Sequence, residues 1–142
     1  MPTRRTQIID ALRDHLVVNT DVVEGNCQRF WVYLHEINDF PFIAFLPRSE
    51  SRQHLSANRK LAIITVLIRG YSYDGDSPID SAEDFGLQIE QAVDSFSRSE
   101  TALGFSVHEA RVVQFRTDEG LFKPYALSDV EAEILYEVSN EI

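Results

Sequence analysis

Residues 61–71, LAIITVLIRGY, are the most hydrophobic run in the chain, and their reading decides the fold. Apolar side chains at consecutive positions would cover both sides of an extended segment, which is the signature of a strand in the middle of a sheet. The stretch Leu61 to Ile68 has eight residues, against the ~20 that a membrane-spanning helix needs. The run is therefore read as a central strand and not as a membrane span.

The segment that follows, YSYDGDSPIDSAED at 71–84, places five acids in fourteen positions. Asp74, Asp76 and Asp80 are oxygen donors suited to a hard cation. A calcium loop counted from Asp74 needs glycine at its sixth position and glutamate at its twelfth, where this sequence has Ile79 and Phe85. A phosphoryl-transfer site built on Asp74-Gly-Asp76 needs its nucleophile at the strand end, but RGYSY intervenes and no phosphate-cradling Gly-Lys follows. Helix-start chemistry accounts for the same residues. Asp74-Gly75 is turn material, Ser77-Pro78 sets a capping hydroxyl before a proline at the first helical position, and Asp80-Ser-Ala-Glu83 is an alternative capping box. Asp80, Glu83 and Asp84 then lie near the positive end of the helix dipole. A metal-dependent hydrolase using Asp74, Asp76 and Asp80 remains the less favoured alternative.

Phe85, Ile89, Ala92, Val93 and Phe96 fall on one helical stripe within 81–97, which predicts a helix lying across the sheet. Ile8, Ile9, Leu12 and Leu16 do the same for a helix over 4–18, with Thr3 as its cap. Arg4 and Arg5 oppose the dipole there, either at a frayed end or toward an external partner. Residues 27–37, CQRFWVYLHEI, are rich in aromatic and β-branched residues and predict a strand, paired as a hairpin with a second strand in FPFIAFL at 40–46, whose Pro41 must sit at its start. Residues 105–115 alternate as a strand and end in the turn Thr117-Asp-Glu-Gly120. In ALSDVEAEILYEV, 126–138, both helical and strand periods fit, and the longer alternation favours the strand. The expected fold is α/β (α+β), one domain over 1–142 with a mixed, mostly antiparallel sheet of about five strands and two helices on it.

Composition bounds the function. Of 142 residues 44% are hydrophobic and 25% charged, an ordinary globular balance. At this length a chain buries roughly 68–70% of its unfolded surface. Twenty-three acids against 13 Lys and Arg give a net charge of −10, which repels DNA backbones and anionic membranes. The lone Cys27 can form no internal disulfide, and MPTRRTQIIDALRDHL mixes charges through its apolar positions unlike a signal peptide, so an intracellular protein is expected. His15, His35, His54 and His108 fall in four separate segments without metal-binding spacing, and Cys27, Ser49, Ser51 and Ser56 lack a nucleophile context. No catalytic residue, metal or cofactor is expected.

Two charge groupings remain. Glu131, Glu133 and Glu137 share one face of the last strand, as a solvated edge or as the acidic wall of a channel. Arg48, Arg52, Arg59 and Lys60 place four of the thirteen basic residues in 47–60, a segment without a clear period that forms a long loop or the tip of a hairpin. It is either a soluble loop or a basic arm that docks on an acidic neighbour.

In this order the chain resembles the tail terminator proteins of long-tailed bacteriophages, the minor tail protein U-like family. The similarity is carried by RTQIIDALRDHL, the proline-led PFIAF, LAIITVLIRGY, the acidic lead into DFGLQIEQAVDSF, and ALSDVEAEILYEV with Tyr136 near its end. The resemblance implies a hexameric ring on the head-proximal end of a finished tail tube, assembled in the host cytoplasm, with tube protein and a head-tail connector as partners. It implies DNA passing through the lumen without tight binding, and no catalytic site. A connector or tube subunit is the nearest alternative. Asp74 and Asp76, ahead of the helix cap, are then candidates for contact with a partner.

Overall fold

The run at 61–71 lies inside a strand, Arg59–Tyr73, that is third of five in the sheet. The computed structural model describes residues 4–29, 32–56, 59–96, 109–119 and 121–139. In chain order these form α1 (Arg4–Asn19), β1 (Cys27–Gln28), β2 (Phe42–Ser56), β3 (Arg59–Tyr73), α2 (Pro78–Phe96), β4 (Glu109–Thr117) and β5 (Tyr125–Ser139). The sheet order is β1-β2-β3-β5-β4, antiparallel throughout except for the parallel β1–β2 pair. The α+β expectation holds. Thr3 and His108 lie outside the described residues, as do the side chains of Arg4 and Arg59.

The two faces of β3 differ in what covers them. Ala62, Ile64, Val66 and Ile68 point to the helices and join Ile43, Phe45, Val130, Ala132, Ile134 and Tyr136 of the neighbouring strands in the main core. The stripes of both helices close it, Ile8, Ile9, Leu12 and Leu16 from α1 and Phe85, Ile89, Ala92, Val93 and Phe96 from α2. The ambiguous last segment is a strand because it pairs with β3 from Tyr125 to Ser139, which stabilises the two-residue period over the helical one. Two glycines let α2 approach the sheet closely. A Cβ on Gly70 would lie 2.7 Å from Phe85 and 2.8 Å from Ile89, and one on Gly86 would lie 2.0 Å from the Phe115 ring of β4.

The segment at 27–37 departs from expectation. Among its described residues only Cys27 and Gln28 pair, parallel to Ile43 and Ala44, and a parallel pair is not a hairpin. Leu34–Glu36 is a short 3-10 turn. Val32, Leu34, Ile37 and Phe40 instead pack with Phe42, Ala44, Tyr71 and Leu127 in a second cluster on the sheet face away from the helices. The Tyr71 hydroxyl donates to the Val32 carbonyl at 2.8 Å, fixing the crossing. The apolar content that predicts a strand is used here to cover a sheet face.

The two helices meet at His15. Its Nε2 lies 2.8 Å from Ser95 Oγ, and its ring sits 5.4 Å from that of Phe96. Burial lowers its pKa below the usual 6.5, so the folded chain prefers the neutral ring. In a window below pH 6.5 the unfolded chain therefore binds the proton that the folded chain refuses, and stability is full above 6.5 and falls with acidification toward the lower folded pKa. Urea midpoints at about pH 7.5 and about pH 5 should differ less in His15→Gln than in the native chain. An equal difference would remove His15 as the titrating group.

Candidate functional site

The segment at 47–60 is a hairpin arm. Its strands continue β2 and β3 outward with paired register from Ser49↔Thr65 to Ser56↔Arg59, broken by irregularities at Pro47/Ser49 and His54/Ser56. The outer residues 51–56 are exposed. Alternation gives no hydrophobic period there because neither side of this stretch of β2 is buried. Of the basic residues, Arg48 is exposed and Lys60 half-buried opposite His54. Arg52 is exposed and ion-paired to Glu50.

Glu50 organises the base of this arm and was not singled out by sequence reasoning. Its carboxylate is largely buried, and it also faces Arg5 Nε of α1 at 3.7 Å and accepts the Tyr136 hydroxyl at 2.8 Å. Burial first, and then the bond to Glu50, pushes the Tyr136 phenol up to about 12, so it stays a donor at any physiological pH. Residues 5, 50, 52 and 136 are brought together from three elements, a junction that no local motif could signal. Beside it a cleft of about 370 Å³ is lined by Arg5, Thr6, Ile9, Arg29, Leu46 and Pro47.

At the far end of the sheet, the acidic segment is mostly helix-start structure. α2 begins at Pro78, as the Ser77-Pro78 reading expects, and Asp80 lies in its first turn. Asp74 Oδ1 accepts the N–H groups of Ser77 at 3.0 Å and Asp76 at 2.9 Å, which holds its carboxyl below the usual range. Asp76 is exposed. Asp74, Asp80 and Asp84 line a cleft of about 320 Å³ with Asp21, Phe40 and Tyr73. Among the described residues no group of three or more His, Cys, Asp or Glu is arranged to hold a metal ion. Cys27 is buried, and that burial pushes its thiol up to about 11, away from nucleophilic use.

Glu131, Glu133 and Glu137 alternate with the buried Val130, Ala132, Ile134 and Tyr136, so they share the sheet face opposite the helices. That face is not purely acidic. Arg111 donates to Glu133 Oε1 at 2.9 and 3.1 Å, and Arg69 makes a two-pronged contact with Asp129 at 2.7 and 3.0 Å. No described helix is long and apolar enough to cross a membrane.

A protein-family profile described as Bacteriophage Tail Tube Terminator Protein matches residues 3–142. The chain belongs to this bacteriophage tail tube terminator family. The terminator is thus a structural component of a phage tail and a virion protein. Among solved structures, a chain from the "Virion of native gene transfer agent (GTA) particle" superposes with a TM-score of 0.58 at 7% identity, over 93% of the terminator and 90% of that chain. At that identity the likeness concerns the fold alone. No curated protein sequence matches.

Proposed function

We propose that this terminator is a single domain that assembles as a hexameric ring on the completed tail tube, ends tube growth and presents the surface to which the head joins. The observation that carries the reading is the family match over nearly the entire chain, 3–142. The role is mechanical and needs no catalysis. Heterologous contacts repeated about a sixfold axis close into a ring, and such a ring has two unlike faces. One meets the last tube ring. The other offers the tube subunit no repeat of its own surface and meets the head-tail connector instead.

The sheet face carrying Glu131, Glu133 and Glu137 lines the lumen in this reading. With a net charge of −10, the ring lets DNA slide past without tight binding. Asp74 and Asp76 belong to a ring face read by a partner. Assembly takes place in the host cytoplasm and places the terminator at the head-proximal end of the tail.

The test is the phage that lacks this protein. Negative-stain images should show tails that overrun their normal length and carry no heads, and added purified terminator should restore joining to tails of normal length. Tails of normal length that fail to join heads would assign the chain to a connector role and overturn the capping reading.

A further inference from the structure

The outer face of α2 is acidic and carries exposed apolar side chains. Its nineteen residues include Asp80, Glu83, Asp84, Glu90 and Asp94 and neither lysine nor arginine. Within this charge Leu87 is 52% exposed, and Ile79, about 80° around the helix from it, is 43% exposed. Leu87 lies on the same side of the helix as Asp80, seven residues earlier, so this face joins a negative charge to an apolar contact point. The charge sign favours a basic partner, and Leu87 favours one that carries an aliphatic side chain beside its cations.

The hairpin arm of β2 and β3 has that composition. Between 47 and 60 it holds Arg48, Arg52, Arg59 and Lys60 against the single acid Glu50, and Leu55 near its tip is 48% exposed. Its spacing also fits. Arg52 and Leu55 lie three residues apart, about 10 Å along the arm, and the irregularity between His54 and Ser56 takes in Leu55, which releases it from the strict alternation that would set such a pair on opposite sides. Asp80 and Leu87 lie seven helix residues apart, also about 10 Å. Leu55 placed on Leu87 therefore brings Arg52 to the first two turns of α2, where Asp80 and Asp84 are exposed. Arg52 is partly engaged by Glu50, but a guanidinium has five N–H donors and can serve two carboxylates.

We infer that the arm of one terminator docks along the outer face of α2 in a second copy, pairing Leu55 with Leu87 and Arg52 with Asp80 and Asp84. The two patches differ, so the contact is heterologous, and each copy offers one patch to each neighbour. The inference rests on the ring reading for its closure at six, while the contact itself can be tested without it.

Leu55→Cys and Leu87→Cys chains are prepared separately, mixed in equal amounts and oxidised, alone and on purified tail tubes, with light scattering to give the oligomeric mass. The native Cys27 is buried and does not compete. The expected product is a disulfide-linked pair holding one chain of each kind, at least tenfold over pairs of like chains. Charge reversal gives the second measurement. Arg52→Glu alone, and Asp80→Lys with Asp84→Lys, should each weaken association at least tenfold, and mixing the two kinds should restore it as alternating oligomers.

Rings that form without the mixed disulfide would overturn the docking and leave the ring intact. Mixed pairs that never close at six would keep the docking and overturn the ring. Linkage of Leu55→Cys to the tube protein would make the tube, not a second copy, the occupant of the arm.

Discussion

Phe45→Ala is expected to lower the free energy of unfolding by about 3–5 kcal/mol, the range for deleting a buried aromatic side chain. Phe45 is fully buried at the point where β2 leaves the core for the arm, and its strand partner is Ile68. The core cluster to which it belongs draws on the strands and on both helices, so closing the space needs several elements to shift together. Against a total of about 5–15 kcal/mol for a typical domain, the loss removes a large fraction of the margin. Urea unfolding checks it: the midpoint should fall with an unchanged slope, since the surface exposed on unfolding is nearly the same. A loss under about 1 kcal/mol would mean that the core closes over the deleted ring, and would contradict a core that resists refilling at this position.

The elements legible in the sequence are those whose two sides have different fates. α2 announces itself because Phe85, Ile89, Ala92, Val93 and Phe96 are all buried while Glu83, Asp84 and Leu87 are not. β5 is legible for the same reason at period two. Residues 27–37 misled because strand propensity reports a fit to a half-buried extended surface and does not name a hydrogen-bonding partner. Val32, Leu34 and Ile37 satisfy that preference by lying on the sheet instead of joining it. The outer arm is legible only as a choice between a long loop and a hairpin tip, of which the structure takes the hairpin, since residues 51–56 are exposed on both sides and so carry no periodic signal.

The candidate surfaces follow the same logic. Arg48, Arg52 and Lys60 were visible because they cluster in sequence. Glu50 was not, because its partners Arg5 and Tyr136 are distant in the chain. Leu87 is silent in the sequence because it lies off the buried stripe that the helical period reveals. Exposure, which the sequence does not record, gives that residue its meaning.

Gly70→Val should cost about 1–3 kcal/mol, near the upper end, through overpacking. Gly70 lies in the central strand, between Ile43 of β2 and Ser128 of β5, so the backbone has little freedom to retreat. Even the first added carbon would sit 2.7 Å from Phe85 and 2.8 Å from Ile89, and both of those side chains are buried. Relief must come from α2 shifting away from β3 or from strained rotamers, and either loosens the helix whose outer face is assigned to the arm. A double-mutant cycle separates steric clash from a loss of β3 conformational fit. Ile89→Ala alone should cost about 2–5 kcal/mol by leaving a cavity. If the clash is with Ile89, the valine methyls enter that cavity, and the double mutant is more stable than the sum of the two single costs by about 1 kcal/mol or more. Strict additivity with Ile89→Ala, and again in the matching cycle with Phe85→Ala, would place the cost of Gly70→Val in the strand backbone and would remove the glycine as the device that seats α2 on the sheet.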